Sequence, residues 1–203
     1  MDSSLEEKFS FMKFEDSDAV FPSSTIRFSN IDCIIQPKDG VGGLYLGNKR
    51  GADSLVDLLL LKVSAVLTVA ARCPVNYDPD FMPNHKIIDA LDTDDYDLSQ
   101  FFDEGVQFIH ENMKTGNVFV HCFAGVSRSV AMVTAYLIQE QKMELQEASK
   151  LIREKRWVAG PNEGFMKQLA DFEKKLKIKQ TSDDAKPSTD ESQAKVLKDE
   201  TTA

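Results

Sequence analysis

The sequence predicts an α/β domain, and three observations carry that expectation. Segments of strand character alternate along the chain with segments of helical periodicity. Val63–Val69 is a near-continuous apolar run of the kind found in strands covered on both faces. The stretch from Val118 to Ile138 passes from a β-branched apolar run, through a short turn, into an apolar run of helical character. Such a turn lies at the C-terminal end of a strand, where α/β folds place their ligands.

The elements follow in order. Residues 1–30 are acidic and serine-rich, dotted with Phe9, Phe11, Phe14, Phe21 and Phe28. They read as a flexible leader; the alternative is a docking segment with the aromatics as anchors. Ile31–Gln36 reads as a first strand, stopped by Pro37-Lys38-Asp39-Gly40, and Leu44–Gly47 as a short second one. Ala52–Leu61 predicts a helix with Asp53 or Ser54 near its start and leucines on its inner face. Val63–Val69 and His85–Asp89 are the next strands, separated by a polar loop containing Pro74, Pro79 and Pro83. Leu98, Phe101, Phe102, Phe108, Ile109 and Met113 have the spacing of an amphipathic helix lying on a sheet. Gly116-Asn117 ends it before the central strand. Arg128–Gln141 and Leu145–Arg156 predict two more helices, Gly160-Pro161-Asn162 breaks the chain, and Glu163–Lys177 predicts a last amphipathic helix. Residues 178–203, rich in Lys, Asp, Ser and Thr, read as a disordered tail. The expected organisation is therefore one domain over 31–177 between a leader and a tail.

Composition narrows the class. An apolar share of 42% supports a real core. The net charge of −9 argues against a nucleic-acid binder, which carries a basic surface. Three cysteines without metal or disulfide spacing fit a reducing compartment, so a cytoplasmic location, extending to the nucleus, is expected. No run approaches the ~18 apolar residues of a membrane span. Met-Asp-Ser-Ser has neither the basic nor the apolar part of a signal peptide, and Asp2 excludes N-myristoylation.

The turn Cys122-Phe123-Ala124-Gly125-Val126-Ser127-Arg128-Ser129 carries the chemistry. A tight strand-to-helix turn aims successive backbone N–H groups into one concavity, and the positive end of the following helix faces the same point. Phe123, Ala124, Gly125, Val126 and Ser127 would supply those amides, and Arg128 a planar fork for two phosphate oxygens. The same field favours a thiolate at Cys122, which makes it a nucleophile aimed at phosphorus. Gly125 permits a positive φ. Ser129 can donate to the sulfur, and His121 can brace the loop backbone.

His-Cys-x-x-Gly-x-x-Arg-Ser, His121 to Ser129, resembles the signature of cysteine-dependent protein phosphatases, and Ala-Gly-Val-Ser-Arg-Ser that of their dual-specificity branch. Leu44-Tyr45-Leu46-Gly47 resembles the opening of that branch's catalytic domain, and Pro-Asn-x-Gly-Phe-x-x-Gln-Leu, Pro161 to Leu169, a segment near its end. The resemblance spans Leu44 to Lys174. It implies a protein tyrosine phosphatase-like fold, with a small mixed sheet of about five strands and helices on both faces. It implies hydrolysis of phosphotyrosine and phosphoserine or phosphothreonine through a phosphocysteine, with phosphorylated proteins, a kinase among them, as partners. No metal or cofactor is expected. The leaving oxygen needs an acid. The resemblance selects Asp92 from the acidic stretch Asp89–Asp97, with Asp94 and Asp95 as fallbacks. Asn162 would help hold the phosphate loop and can cap a helix.

No side chain between Cys122 and Arg128 is basic, which disfavours a phospholipid substrate. Arg156 and Trp157, just before Pro161-Asn162, read as a helix-end charge and a packed aromatic; the alternative places them at the pocket rim. Cys73, just after Val63–Val69, is a candidate redox partner for Cys122; otherwise it is a small buried residue. Three other functions compete: a catalytically weak phosphoprotein-binding relative, a phosphatase of a non-protein ester, and a sulfur-transfer enzyme. The first typically loses the cysteine or the acid, and the last leaves Asp92 and the Pro161–Leu169 segment unexplained.

Overall fold

A computed structural model describes residues 29–184, with side chains to residue 179. The chain order is β1 (Ile31–Ile35), β2 (Leu44–Gly47), α1 (Lys49–Asp53), α2 (Leu55–Leu60), β3 (Val63–Val69), β4 (Asn84–Ile88), a 3₁₀ turn (Ser99–Phe101) leading into α3 (Phe102–Met113), β5 (Asn117–His121), α4 (Arg128–Gln139), α5 (Leu145–Lys155) and α6 (Glu163–Asp184). The strands form one mixed five-stranded sheet in the order β1-β2-β5-β3-β4. β1 runs antiparallel to β2, and every other pair is parallel. The α/β fold expected from sequence, a small mixed five-stranded sheet with helices on both faces, is the fold observed.

Burial explains the strand compositions. β3 and β5 are interior strands with α-helical layers above and below, and nearly all their side chains are inaccessible. The larger core cluster joins one sheet face to α3, α4, α5 and α6 through Phe102, Ile109, Met132, Ile152 and Phe165. The smaller cluster lies on the other face under α1, α2 and the 70–82 loop, and Phe119, Cys73 and Cys122 belong to it. α4 is buried along almost its whole length, because it runs between the sheet and its neighbouring helices. Since β2, β3, β4 and β5 are parallel, their C-terminal ends meet at one edge, where the 89–97 and 122–128 loops emerge together.

Two expectations are corrected. Ala52–Leu61 is not one helix: α1 and α2 meet at Ser54, whose Oγ accepts from Asp57 N and whose N–H donates to Gly51 O. The break resets the helical phase, and a six-residue helix turns few positions inward. Only Leu58 is buried, while Leu59 and Leu60 are exposed. At the other end, α6 continues to Asp184. The tail reading is therefore corrected over residues 178–184, which continue the helix. The phenylalanines of the leader, and residues 185–203, lie outside the described residues. No helix among the described residues is long and apolar enough to cross a membrane.

Candidate active site

A loop can turn its amides inward only if its carbonyls are satisfied elsewhere. Every carbonyl from Cys122 to Ser127 has an outward partner. Cys122 O lies 3.2 Å from His121 Nδ1, and Phe123 O accepts from Lys49 N at 3.1 Å. Arg156 donates from Nε to Gly125 O at 2.7 Å and from NH2 to Ala124 O at 3.4 Å. Val126 O accepts from Gly160 N at 2.8 Å, and Ser127 O from Ala131 N at 2.8 Å in the first turn of α4. With the carbonyls held outside, the N–H groups are left to the inner side, where α4 begins.

Gly125 makes the turn possible. Its φ is +69°, and a Cβ there would sit 2.5 Å from Gly47 O and 2.6 Å from the Arg156 guanidinium. Cys122 is fully buried, and its Sγ accepts from Gly125 N and from Ser129 Oγ, both at 3.2 Å. Arg128 is 9% exposed and donates from NH1 to Ala90 O at 3.1 Å. Its Nε is buried, makes no hydrogen bond, and lies 3.5 Å from Asp92 Oδ2. Phe123, by contrast, leaves its ring exposed at the rim.

Asp92, rather than Asp94 or Asp95, meets the loop. Its Oδ1 accepts from Ser127 Oγ at 2.6 Å and from Asn162 Nδ2 at 3.1 Å. Ser127 Oγ in turn accepts from Asn162 N at 3.2 Å, which directs the hydroxyl proton to the carboxylate. Asn162 Oδ1 caps α6 by accepting from Phe165 N at 2.8 Å. One asparagine therefore holds the helix start, the 122–128 loop and the carboxylate together. The start of α6 also pins the rest of the acidic stretch. Gln168 Oε1 accepts from Leu98 N and Ser99 N, both at 2.9 Å, and its Nε2 donates to Tyr96 O at 2.8 Å. Gly164 packs so tightly on the Asp94 carbonyl that a Cβ would collide with it.

His121 is fully buried beneath the loop and stacks on Phe119, and burial pushes its pKa down to about 4. It is therefore neutral at pH 7, as a brace among apolar side chains must be. Cys73 is buried in the same small apolar cluster as Cys122, and both thiols are free. Burial pushes the Cys73 thiol up, and the nearby Cys122 adds to the shift.

Sequence reasoning weighed Arg156 at the pocket rim but favoured the other reading. Its reading as a helix-end charge is corrected: the side chain is 3% exposed, and besides the two loop carbonyls it reaches Asp32 Oδ2 at 2.6 Å and Ser29 O at 2.9 Å. Trp157, read as a packed aromatic, is instead 57% exposed. The Ser127 hydroxyl as a partner of Asp92, and the Gln168 amide as a partner of Tyr96, Leu98 and Ser99, were missed. The one available signal for Gln168 was its place in the Pro161–Leu169 segment.

Comparison with known proteins agrees with the geometry. Residues 44–175 match the family described as dual specificity phosphatase, catalytic domain. The chain is 39% identical over 155 residues to dual specificity protein phosphatase 1 of Arabidopsis thaliana, covering 76% of this chain and 75% of that one. It is 36% identical over 135 residues to dual specificity protein phosphatase 1 of Homo sapiens, covering 66% of this chain but 36% of that longer protein. The solved structure of DUSP15 superposes with a TM-score of 0.61 at 28% identity, over 74% of this chain and 96% of that one. Human DUSP28 shares the fold with a TM-score of 0.67 at 24% identity, over 76% and 99%. With the matched segment beginning at β2, running through the Cys122–Arg128 turn and ending within α6, the chain belongs to the dual specificity phosphatase family.

Proposed function

We propose that Cys122 is the nucleophile of this phosphatase, Arg128 and the amides of Phe123–Ser127 its phosphate cradle, and Asp92 its general acid. The observation that carries the assignment is the outward tethering of all six loop carbonyls around a buried thiol. That leaves one converging set of donors on the inner side, and Arg128 Nε adds a buried donor with no hydrogen bond of its own. A tetrahedral oxyanion is the ligand that satisfies such a set.

In the first step Cys122 Sγ forms a bond to phosphorus as the P–O bond to the leaving group breaks. Protonated Asp92 gives its proton to the departing oxygen, and a phosphocysteine remains. The charge on the three equatorial oxygens meets the loop amides and the guanidinium. In the second step Asp92, now ionised, takes a proton from water as that water attacks phosphorus. The S–P bond breaks, inorganic phosphate departs, and Ser129 Oγ steadies the released thiolate with its hydrogen bond. The neighbours of the Asp92 carboxylate are all donors, which is the arrangement of this second step.

Phosphotyrosine and phosphoserine or phosphothreonine in proteins, kinases included, are the proposed substrates. The chain between Cys122 and Arg128 offers no lysine to a more highly charged phospholipid headgroup. The catalytic unit is taken as residues 31–177, and three free thiols, one of them the nucleophile, suit the cytoplasm and nucleus. The test is turnover of an aryl phosphate and of a phosphoserine peptide by wild type, Cys122→Ser and Asp92→Ala. Cys122→Ser should abolish both activities while phosphate-ester binding persists. Asp92→Ala should lower turnover about 10²–10⁴-fold, most severely on phosphoserine, whose leaving group is the poorer. Near-wild-type turnover by Cys122→Ser refutes the nucleophile, and an equal loss on both substrates refutes the acid.

A further inference from the structure

Beneath the phosphate loop lies a line of three polar side chains that the two-step reaction does not use. His85 on β4, Thr68 on β3 and His121 on β5 point to the same sheet face. Thr68 Oγ1 is 2.9 Å from His85 Nε2 and 2.8 Å from His121 Nε2, and Thr68 is fully buried. One hydroxyl proton thus serves two imidazole nitrogens. Thr68 can donate to one and must accept from the other.

The far end of the line decides its direction. His121 Nδ1 lies 3.2 Å from the Cys122 carbonyl, which can only accept. Nδ1 therefore carries a proton. His121 is neutral at pH 7, so its Nε2 carries none and accepts the Thr68 proton. The Thr68 oxygen is then an acceptor toward His85, whose Nε2 must carry a hydrogen. The opposite polarity would place two lone pairs face to face between His121 Nδ1 and Cys122 O.

We infer that His85 is a positioning residue of this phosphatase: by donating to Thr68 it holds His121 in the Nδ1–H form and so fixes the backbone of the nucleophile Cys122. The inference rests on the assignment of Cys122 above. His85 touches neither the loop nor the cysteine; it acts only through Thr68 and His121. It is well placed to be held still, because its ring packs edge-on against Tyr77 at 4.9 Å and Tyr77 is anchored by its hydroxyl on Ala52 O at 2.9 Å. Without the donor at residue 85, Thr68 is free to accept from His121 Nε2, and the Cys122 carbonyl loses its tether in that fraction of molecules.

The experiment is ¹⁵N–¹H long-range correlation of the histidine rings in the full chain, which has only three histidines to assign. In wild type the expected forms are Nδ1–H at His121 and Nε2–H at His85. His85→Gln keeps a donor toward Thr68 and should keep the His121 form. His85→Phe keeps a ring against Tyr77 but removes the donor. It should give a mixture of His121 tautomers and lower kcat on an aryl phosphate about three- to tenfold, the effect of one neutral hydrogen bond, with KM little changed. An Nε2–H ring at His121 in wild type overturns the inference, as does a His85→Phe protein with unaltered tautomer and kcat. Should His85→Phe fail to fold, the wild-type spectrum and the His85→Gln spectrum still decide. Failure of the underlying assignment reads differently: a fully active Cys122→Ser enzyme refutes the nucleophile whatever the histidine spectra show.

Discussion

Removing the Arg156 guanidinium tests the claim that tethered carbonyls make the phosphate cradle. In Arg156→Met the chain stem stays while four hydrogen bonds go: two to Ala124 O and Gly125 O, one to Ser29 O and one to Asp32 Oδ2. The two loop carbonyls lose a charged donor at a site where the arginine itself is 3% exposed. Asp32 is less costly to leave alone, since its side chain is 18% exposed and water can reach it. Leaving the two loop carbonyls without that donor costs about 1–3 kcal/mol each, and a domain of this size loses about 2–4 °C of Tm per kcal/mol. The expected fall in Tm is therefore about 10 °C. A purely structural role would predict the same, so the second readout is phosphate affinity, measured by competitive inhibition with inorganic phosphate. Arg156→Met should weaken it about tenfold or more, because two loop peptides are free to rotate their N–H groups away. Asp32→Asn is the control: it removes the ion pair's charge and leaves both loop bonds in place. It should lower Tm and leave phosphate affinity within about threefold. Equal phosphate affinity in wild type and Arg156→Met, both folded, would refute the reasoning.

Two further outcomes are expected. The folded-state pKa of His121 is about 4, below its unfolded value near 6.5. Between these values the unfolded chain binds more protons, so stability is whole above pH 6.5 and declines as pH falls toward 4, by on the order of 3 kcal/mol from this residue. His85, whose pKa is also lowered by burial, adds in the same direction. Denaturant unfolding across pH 4–7 checks this, and an unfolding free energy that does not fall below pH 6.5 contradicts it. In the second, mild peroxide should convert Cys122 to a sulfenic acid, with which the Cys73 thiol condenses to a disulfide and releases water. Peptide mapping should find the Cys73–Cys122 linkage, and its absence, with Cys122 over-oxidised instead, would retire Cys73 as a guard.

Much of the site was legible because its information is local. Cys122, Gly125, Arg128 and Ser129 sit within eight residues, and a strand before them and a helix after leave one way to connect. Val63–Val69 and Leu44–Gly47 were legible for a related reason, since two-sided burial writes itself as an uninterrupted apolar run. What stayed hidden depends on distant partners. Arg156 looks like any basic residue at a helix end, and only the return of the chain past Ser29 and Asp32 makes it a buried tether. Thr68 passes for an ordinary β-branched strand residue until two histidines from neighbouring strands meet it. The Ala52–Leu61 stretch misled for the opposite reason. Its leucines imitate an inward stripe, but the break at Ser54 leaves Leu59 and Leu60 facing water.

The grip of α6 on the acidic stretch ties the placement of its carboxylates to the last helix of the domain. Gln168, Gly164 and Asn162 fasten that stretch at three places, with the Asp94 carbonyl wedged against a residue that has no side chain to spare. On the proposed assignment of Asp92 as the acid, the same helix start that carries these fastenings also sets the carboxylate against the loop, through Asn162 directly and through the Ser127 hydroxyl that Asn162 N–H orients.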